Sequence, residues 1–202
     1  VDDLVIAKDE NGNVYWPMFG LNSIGSLTKG KGYQTKMYSD ATLTLEGNLV
    51  PFDFDIELES GWGIMGYLHP ECFNTADMMA PIVSSVVIVK DENGNVYWPM
   101  FGLNSIGDLC PGKGYQIKTD EPIMFNYPEN GGNSSRYGDV YIERPVHFDE
   151  PVNTGNNMII GFPLNSWQTT PLIGDEIAAY GEDGTLVGST TFQGDHIALT
   201  IW

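Results

Sequence analysis

Between Phe52 and Glu59 the chain alternates strictly, with Phe52, Phe54, Ile56 and Leu58 separated by Asp53, Asp55, Glu57 and Glu59. A period of two is that of a strand with one buried and one solvated face, so this stretch reads as a strand whose outer face is fully acidic. Val86–Lys90, "VVIVK", is continuously apolar and β-branched, as in a strand buried on both faces. Tyr115 and Ile117 alternate with Gln116 and Lys118, a half-buried strand, and Gly61–Tyr67, "GWGIMGY", reads as another. Asn74, with Asp77 three residues on, caps a short helix that carries Met78 and Met79 and continues its apolar face to Ile82. Towards the C-terminus, "NMIIGF", "EIAAY", "TLVGSTTF" and "HIALTIW" predict four strands, two of them joined at Asp183-Gly184.

The patterns repeat. "DENGNVYWPMFGLNSIG" occurs letter for letter at Asp9–Gly25 and Asp91–Gly107, 82 positions apart (91 minus 9), and Val1–Tyr38 matches Val83–Asp120 nearly throughout. Within it, Asn93-Gly94 predicts a tight hairpin turn with positive φ, followed by a return strand Val96–Trp98 that Pro99 stops. Leu103, Ile106 and Leu109, three apart, predict one helical turn packed on the sheet. A full unit thus reads strand, short helix, hairpin, helical turn, strand, and the first copy lacks the opening strand and helix. The expected fold is mainly β with short helices (α+β): duplicated β-hairpin modules plus a C-terminal β-rich module. The boundaries read as an incomplete first module at 1–60, a second module at 61–125, an Asn/Gly-rich linker at 126–150 and the C-terminal module at 151–202. Without its first strand, the N-terminal half leaves a sheet edge open unless Tyr38–Ser60 covers it, and an open edge invites homodimerisation by strand pairing. Val1 is not an initiator Met, so the start reads as a processed or cut end, and because the chain starts inside the unit, either it is an excerpt of a longer repeat protein or another segment fills the gap.

Charge narrows the partners. Nine Lys and Arg against 27 Asp and Glu give a formal charge of -18, which repels nucleic acid and anionic membrane surfaces. No stretch approaches the roughly 18 apolar residues of a membrane-spanning helix. Cys72 and Cys110 form neither a zinc pattern nor a CxxC motif, which leaves two readings, a disulfide in an exported protein or two buried thiols.

The order "GWGIMGY", "VVIVKDENGNVYWP", "IGDLCPGKGYQIK" resembles the GWNxIGY, IVKDxNGxxYxP, PGxGYQIK repeat of large secreted or cell-surface proteins of marine Bacteroidota-type bacteria. "NTGNNMIIGFPLNSW", "GDEIAAYGEDGTLVGS" and "ALTIW" are similar to a module that accompanies it there. Gly63 stands where that pattern has Asn. The resemblance implies an extracellular or cell-surface location and supplies no catalytic residue.

Chemistry-bearing motifs are sparse. Asp91, Asn93 and Asn95 have the spacing of the first ligands of a calcium loop, but Val96 and Gly102 stand where that loop has Gly and a bidentate Glu. His69, His147 and His196 lie in unlike contexts, with no nucleophile elbow or zinc-protease pair. The four carboxylates of residues 53–59 share one face, where solvent keeps them alike, unlike the unequal pair that hydrolyses glycosides. The sequence therefore reads as a non-enzyme without cofactor or metal, a structural or adhesion module. The alternative is a carbohydrate-binding module, in which Tyr15, Trp16, Tyr97 and Trp98 form sugar platforms and Asn95 a polar contact. Polysaccharide or neighbouring modules of the same protein are the expected partners.

Overall fold

A computed structural model describes residues 3–44, 46–129 and 145–202. Their architecture is mainly β: several small sheets, one short α-helix and isolated 3-10 turns. In chain order the strands are β1 Leu4–Lys8, β2 Val14–Trp16, β3 Leu21–Asn22, β4 Gln34–Met37, β5 Ile56–Leu58, β6 Gly61–Gly66 and β7 Phe73–Asn74. After helix α1, Thr75–Met79, come β8 Val86–Lys90, β9 Val96–Trp98, β10 Leu103–Asn104, β11 Asp108–Leu109, β12 Gly114–Thr119 and β13 Ile123–Phe125. The C-terminal part holds β14 Met158–Phe162, β15 Glu176–Tyr180, β16 Leu186–Thr191 and β17 Ile197–Ile201. None of the described helices is long and apolar enough to cross a membrane.

The chain divides into two compact units. One runs to Val89 and resumes at Asp108, while the other combines Lys90–Gly107 with the C-terminal part. The second unit thus takes the Asp91–Gly107 phrase out of the 61–125 stretch. Of the 126–150 linker, residues 130–144 lie outside the described residues.

In the first unit, β6 and β12 form an antiparallel pair from Gly61↔Thr119 to Gly66↔Gly114. Tyr115, Ile117 and Thr119 are buried on alternate positions, as the period of two requires. Met78 and Met79 are fully buried on α1, which starts where the Asn74 side chain accepts the Ala76 N–H at 3.0 Å. Ile56 and Leu58 are buried and pair with β13, with Phe125 and Tyr127 completing an aromatic corner. The acidic strand is shorter than its pattern: only Ile56–Leu58 is extended, because Phe54 N–H turns back to Pro51 O at 3.1 Å. Asp53, Asp55, Glu57 and Glu59 are exposed. Cys72 and Cys110 are joined in a disulfide that closes a loop of sequence separation 38.

The same unit contains the sheet β3-β2-β1-β4. β4 is its outer strand, and all four of its residues are exposed. Just before it, Gly32 N–H donates to Ile64 O at 2.8 Å and Gly66 N–H to Gly30 O at 2.9 Å, so β6 covers the approach to the edge but not β4. Glu10 secures that approach by accepting Ile64 N–H at 3.1 Å and pairing with Lys31 Nζ at 2.7 Å.

In the second unit, β14 pairs with β17 and β15 with β16, two antiparallel ribbons. They meet at Gly188, where an added Cβ would stand 2.4 Å from Thr200 O, so only a residue without a side chain permits the approach. The four strands and the Asp183-Gly184 turn follow the pattern of apolar runs. Phe192, Ile197 and Leu199 are buried in this unit, as are Val96, Tyr97 and Leu103 of the Lys90–Gly107 stretch.

Candidate functional site: the aromatic face of the repeated segment

The identical segments fold alike. Asp9 Oδ1 accepts the N–H of Asn11 (2.9 Å) and Asn13 (2.8 Å), and Oδ2 the Asn13 side-chain amide (2.8 Å). Asp91 repeats these bonds to Asn93 and Asn95 at 2.9, 2.8 and 2.7 Å. The turn is therefore an Asp-organised loop with only its glycine at positive φ (Gly12 81°, Gly94 82°). That corrects the expected Asn-Gly hairpin turn: a carboxylate holding two N–H groups makes a second positive φ unnecessary. It also accounts for the calcium-like spacing, since the Asp91 oxygens are engaged within the turn.

The predicted helical turn lies elsewhere. Pro17–Phe19 and Pro99–Phe101 are 3-10 turns, each begun by the proline and closed by a left-handed glycine, whereas Leu103–Asn104 is strand β10. Apolar spacing of three misled there, because Asn104 accepts Gly107 N–H at 3.1 Å and donates to Gly107 O at 3.2 Å, folding the stretch into a side-chain-held loop. Trp16 pairs with Leu21 across the strands, as Trp98 does with Leu103. Each tryptophan meets a phenylalanine edge to face, Trp16–Phe19 and Trp98–Phe101, with ring centroids 4.7 Å apart in both.

The surroundings differ. In the second unit, Lys90 Nζ donates to Asn157 Oδ1, and Thr200 Oγ1 donates to Gly94 O at 2.8 Å. The Trp98 ring lies against Gly161, where a Cβ would stand 2.9 Å from it. Phe101 meets His196 at 5.5 Å, with Leu164 N–H donating to the His196 Nδ1. Trp98, Phe101, Leu103, Phe162, Pro163 and Ile197 close the contact without room for a water molecule. The β14–β17 ribbon thus lies along one stripe of the Asp91–Gly107 segment.

Among the residues expected to meet ligand, Tyr97 is buried, and the Asn95 amide is bonded to Asp91. Trp98 is half-buried against the ribbon, while Tyr15 and Trp16 are half-buried on the N-terminal segment. The structure brings Trp98 together with Gly161 and His196, Lys90 with Asn157 and Gly94 with Thr200; no local pattern singles out Asn157, Gly161, His196 or Thr200, since they lie far along the chain. Burial also separates the two aspartates. Burial raises the Asp91 pKa above the ordinary carboxylate value, outweighing its hydrogen bonds. For Asp9 the slight burial that would raise it is outweighed by the bonds from Asn13, Asn11 and Gly12, which lower it. No family model matches this chain, and no curated protein or solved structure is similar to it.

Proposed function

We propose that the chain is a non-catalytic structural or adhesion module of a secreted or surface-attached bacterial protein, in which the repeated aromatic segment is a packing element that joins modules. The observation that carries this reading is the Trp98 ring seated on Gly161: the face that could stack a sugar is filled by the chain's own β14–β17 ribbon. Matching turns, bonds and ring pairs in the two segments support the finer reading of two copies of one hairpin module followed by a C-terminal β-rich module. The Cys72–Cys110 bond and the acidic composition are consistent with an oxidising, extracellular setting.

The packing reading requires that Trp98→Ala lower the thermal midpoint while no polysaccharide quenches wild-type tryptophan fluorescence. A stable Trp98→Ala variant would sink it. Carbohydrate binding is the second reading, and the N-terminal segment favours it, because Phe19 (67% exposed) and Leu21 lie open beside Trp16. Saturable binding of a marine polysaccharide, lost in Trp16→Ala and kept in Trp98→Ala, would establish it. Homodimerisation by pairing along β4 is a further proposal, supported by the exposed outer strand. A monomer at high concentration in light scattering would count against it.

A further inference from the structure

The residues that hold the β14–β17 ribbon in the second unit all recur in the first. Lys90, Gly94, Trp98, Phe101 and Leu103 correspond, 82 positions earlier, to Lys8, Gly12, Trp16, Phe19 and Leu21. Local geometry matches too, down to the φ of the turn glycine and the Trp–Phe ring distance. Occupancy differs. Lys90, Gly94 and Leu103 are buried, whereas Lys8, Gly12, Phe19 and Leu21 are exposed. Met18 and Met100 are exposed in both segments (73% and 81%), whereas Tyr97 and Asn104, like the residues under the ribbon, are more buried than Tyr15 and Asn22. Space is also free where the ribbon's tip would come, since nothing lies within 4 Å of a Cβ built on Gly12, while one on Gly94 would strike Thr200 at 2.6 Å.

We propose that Lys8, Gly12, Trp16, Phe19 and Leu21 form a second docking site for a β14–β17 ribbon with the Asn157 that precedes it, supplied by a second copy of this chain. The occupant is identified by the chain itself: an identical surface holds this ribbon through an Asn amide oxygen at the lysine, a Thr hydroxyl at the turn carbonyl and a glycine under the indole. Burying an aromatic anchor together with exposed Phe and Leu supplies the driving force. Each chain then carries two sites and one ribbon, so ribbon exchange links chains head to tail, an open heterologous assembly. This inference rests on the packing reading and extends it to a site that is open.

The test frees the ribbon in full-length chains. Trp98→Ala/Phe101→Ala removes its anchor, and Gly94→Ala blocks its seat by collision with Thr200 while leaving Gly12 untouched. Each donor is titrated into isotope-labelled wild-type chain, and the Trp16 indole N–H is followed by magnetic resonance. The expected result is a saturable shift of the Trp16 resonance, weakened about tenfold or more when the acceptor carries Trp16→Ala/Phe19→Ala and is followed through Gly12. If a donor fails to fold, wild-type chain warmed to its unfolding midpoint at high concentration and cooled slowly gives the same answer. Exchanged oligomers are expected, and Trp16→Ala/Phe19→Ala should abolish them. An unshifted Trp16 with folded donors, association that survives the double substitution, or a wild-type chain that stays monomeric after warming overturns the proposal. If Trp98→Ala destabilises the chain and Trp16 still does not respond, the packing reading stands and only the second site falls.

Discussion

Asp9–Gly25 and Asp91–Gly107 are the same letters in two surroundings. The Asp-to-turn bond lengths agree within about a tenth of an ångström and the ring distances are equal, yet Val96 is fully buried where Val14 is half-buried, and Leu103 is 7% exposed where Leu21 is 47%. Local conformation is thus independent of burial here, because it is held by short-range bonds that close within the segment: Asp to its turn, Ser23 or Ser105 across the strands, Asn to the following glycine. Burial depends on what arrives from elsewhere in the chain.

The largest expected effect comes from the difference just beyond the segments. Thr28 stands where the later copy has Cys110, and each residue's N–H is bonded to a tyrosine hydroxyl (Tyr33 at 2.8 Å, Tyr115 at 2.9 Å). Cys72→Ser/Cys110→Ser should cost about 4 kcal/mol by the loop-entropy relation, read from denaturant unfolding, whereas Thr28→Ala should cost under about 1 kcal/mol. Equal losses would break the comparison.

Next comes the tryptophan pair. Trp98→Ala should destabilise the second unit by about 2–3 kcal/mol, less than a fully buried tryptophan because the ring is half-buried, and Trp16→Ala by under about 1 kcal/mol. Thermal or denaturant midpoints of the two variants provide the check. Gly94→Ala and Gly12→Ala are better matched still: the positive φ, and hence the backbone strain, is the same in both, so their difference isolates the collision with Thr200. Gly94→Ala should be the worse by about 1 kcal/mol or more.

The smallest effect is one of sign. Asp91 has a raised folded pKa, so the stability it contributes is present below the ordinary carboxylate value and is lost as pH rises through the raised one. Asp9 has a lowered folded pKa, and its contribution is present above the ordinary value and is lost as pH falls through the lowered one. Comparing Asp91→Asn and Asp9→Asn with wild type across the acid range should give stability differences that change with pH in opposite directions.

Much of the fold was legible in advance. Strands β6, β8 and β12, the Asn74-capped helix and the four C-terminal strands follow apolar periodicity and capping residues, which act within a few positions. Three expectations failed for equally local reasons: the acidic strand, cut short where Phe54 N–H turns back to Pro51, and the Asp-held turn and the Asn104 loop, where side-chain bonds to the backbone outweighed the dipeptide and spacing rules. The candidate site was half legible. Trp16 and Trp98 stood out as a repeated aromatic pair, but Gly161, Asn157, His196 and Thr200 belong to no motif and meet Lys90–Phe101 only through the fold.

The amino-acid sequence by itself determined the turns of each repeated segment, since the side-chain bonds that shape them, from Asp9 or Asp91, Ser23 or Ser105 and Asn22 or Asn104, lie inside the segment. Only the tertiary structure decided that one aromatic face carries a ribbon and the other lies open, because side-chain burial depends on segments that the sequence places 50 or more positions away (157 minus 107). It likewise decided that Cys72 reaches Cys110, a pairing that depends on where β7 and β11 come together.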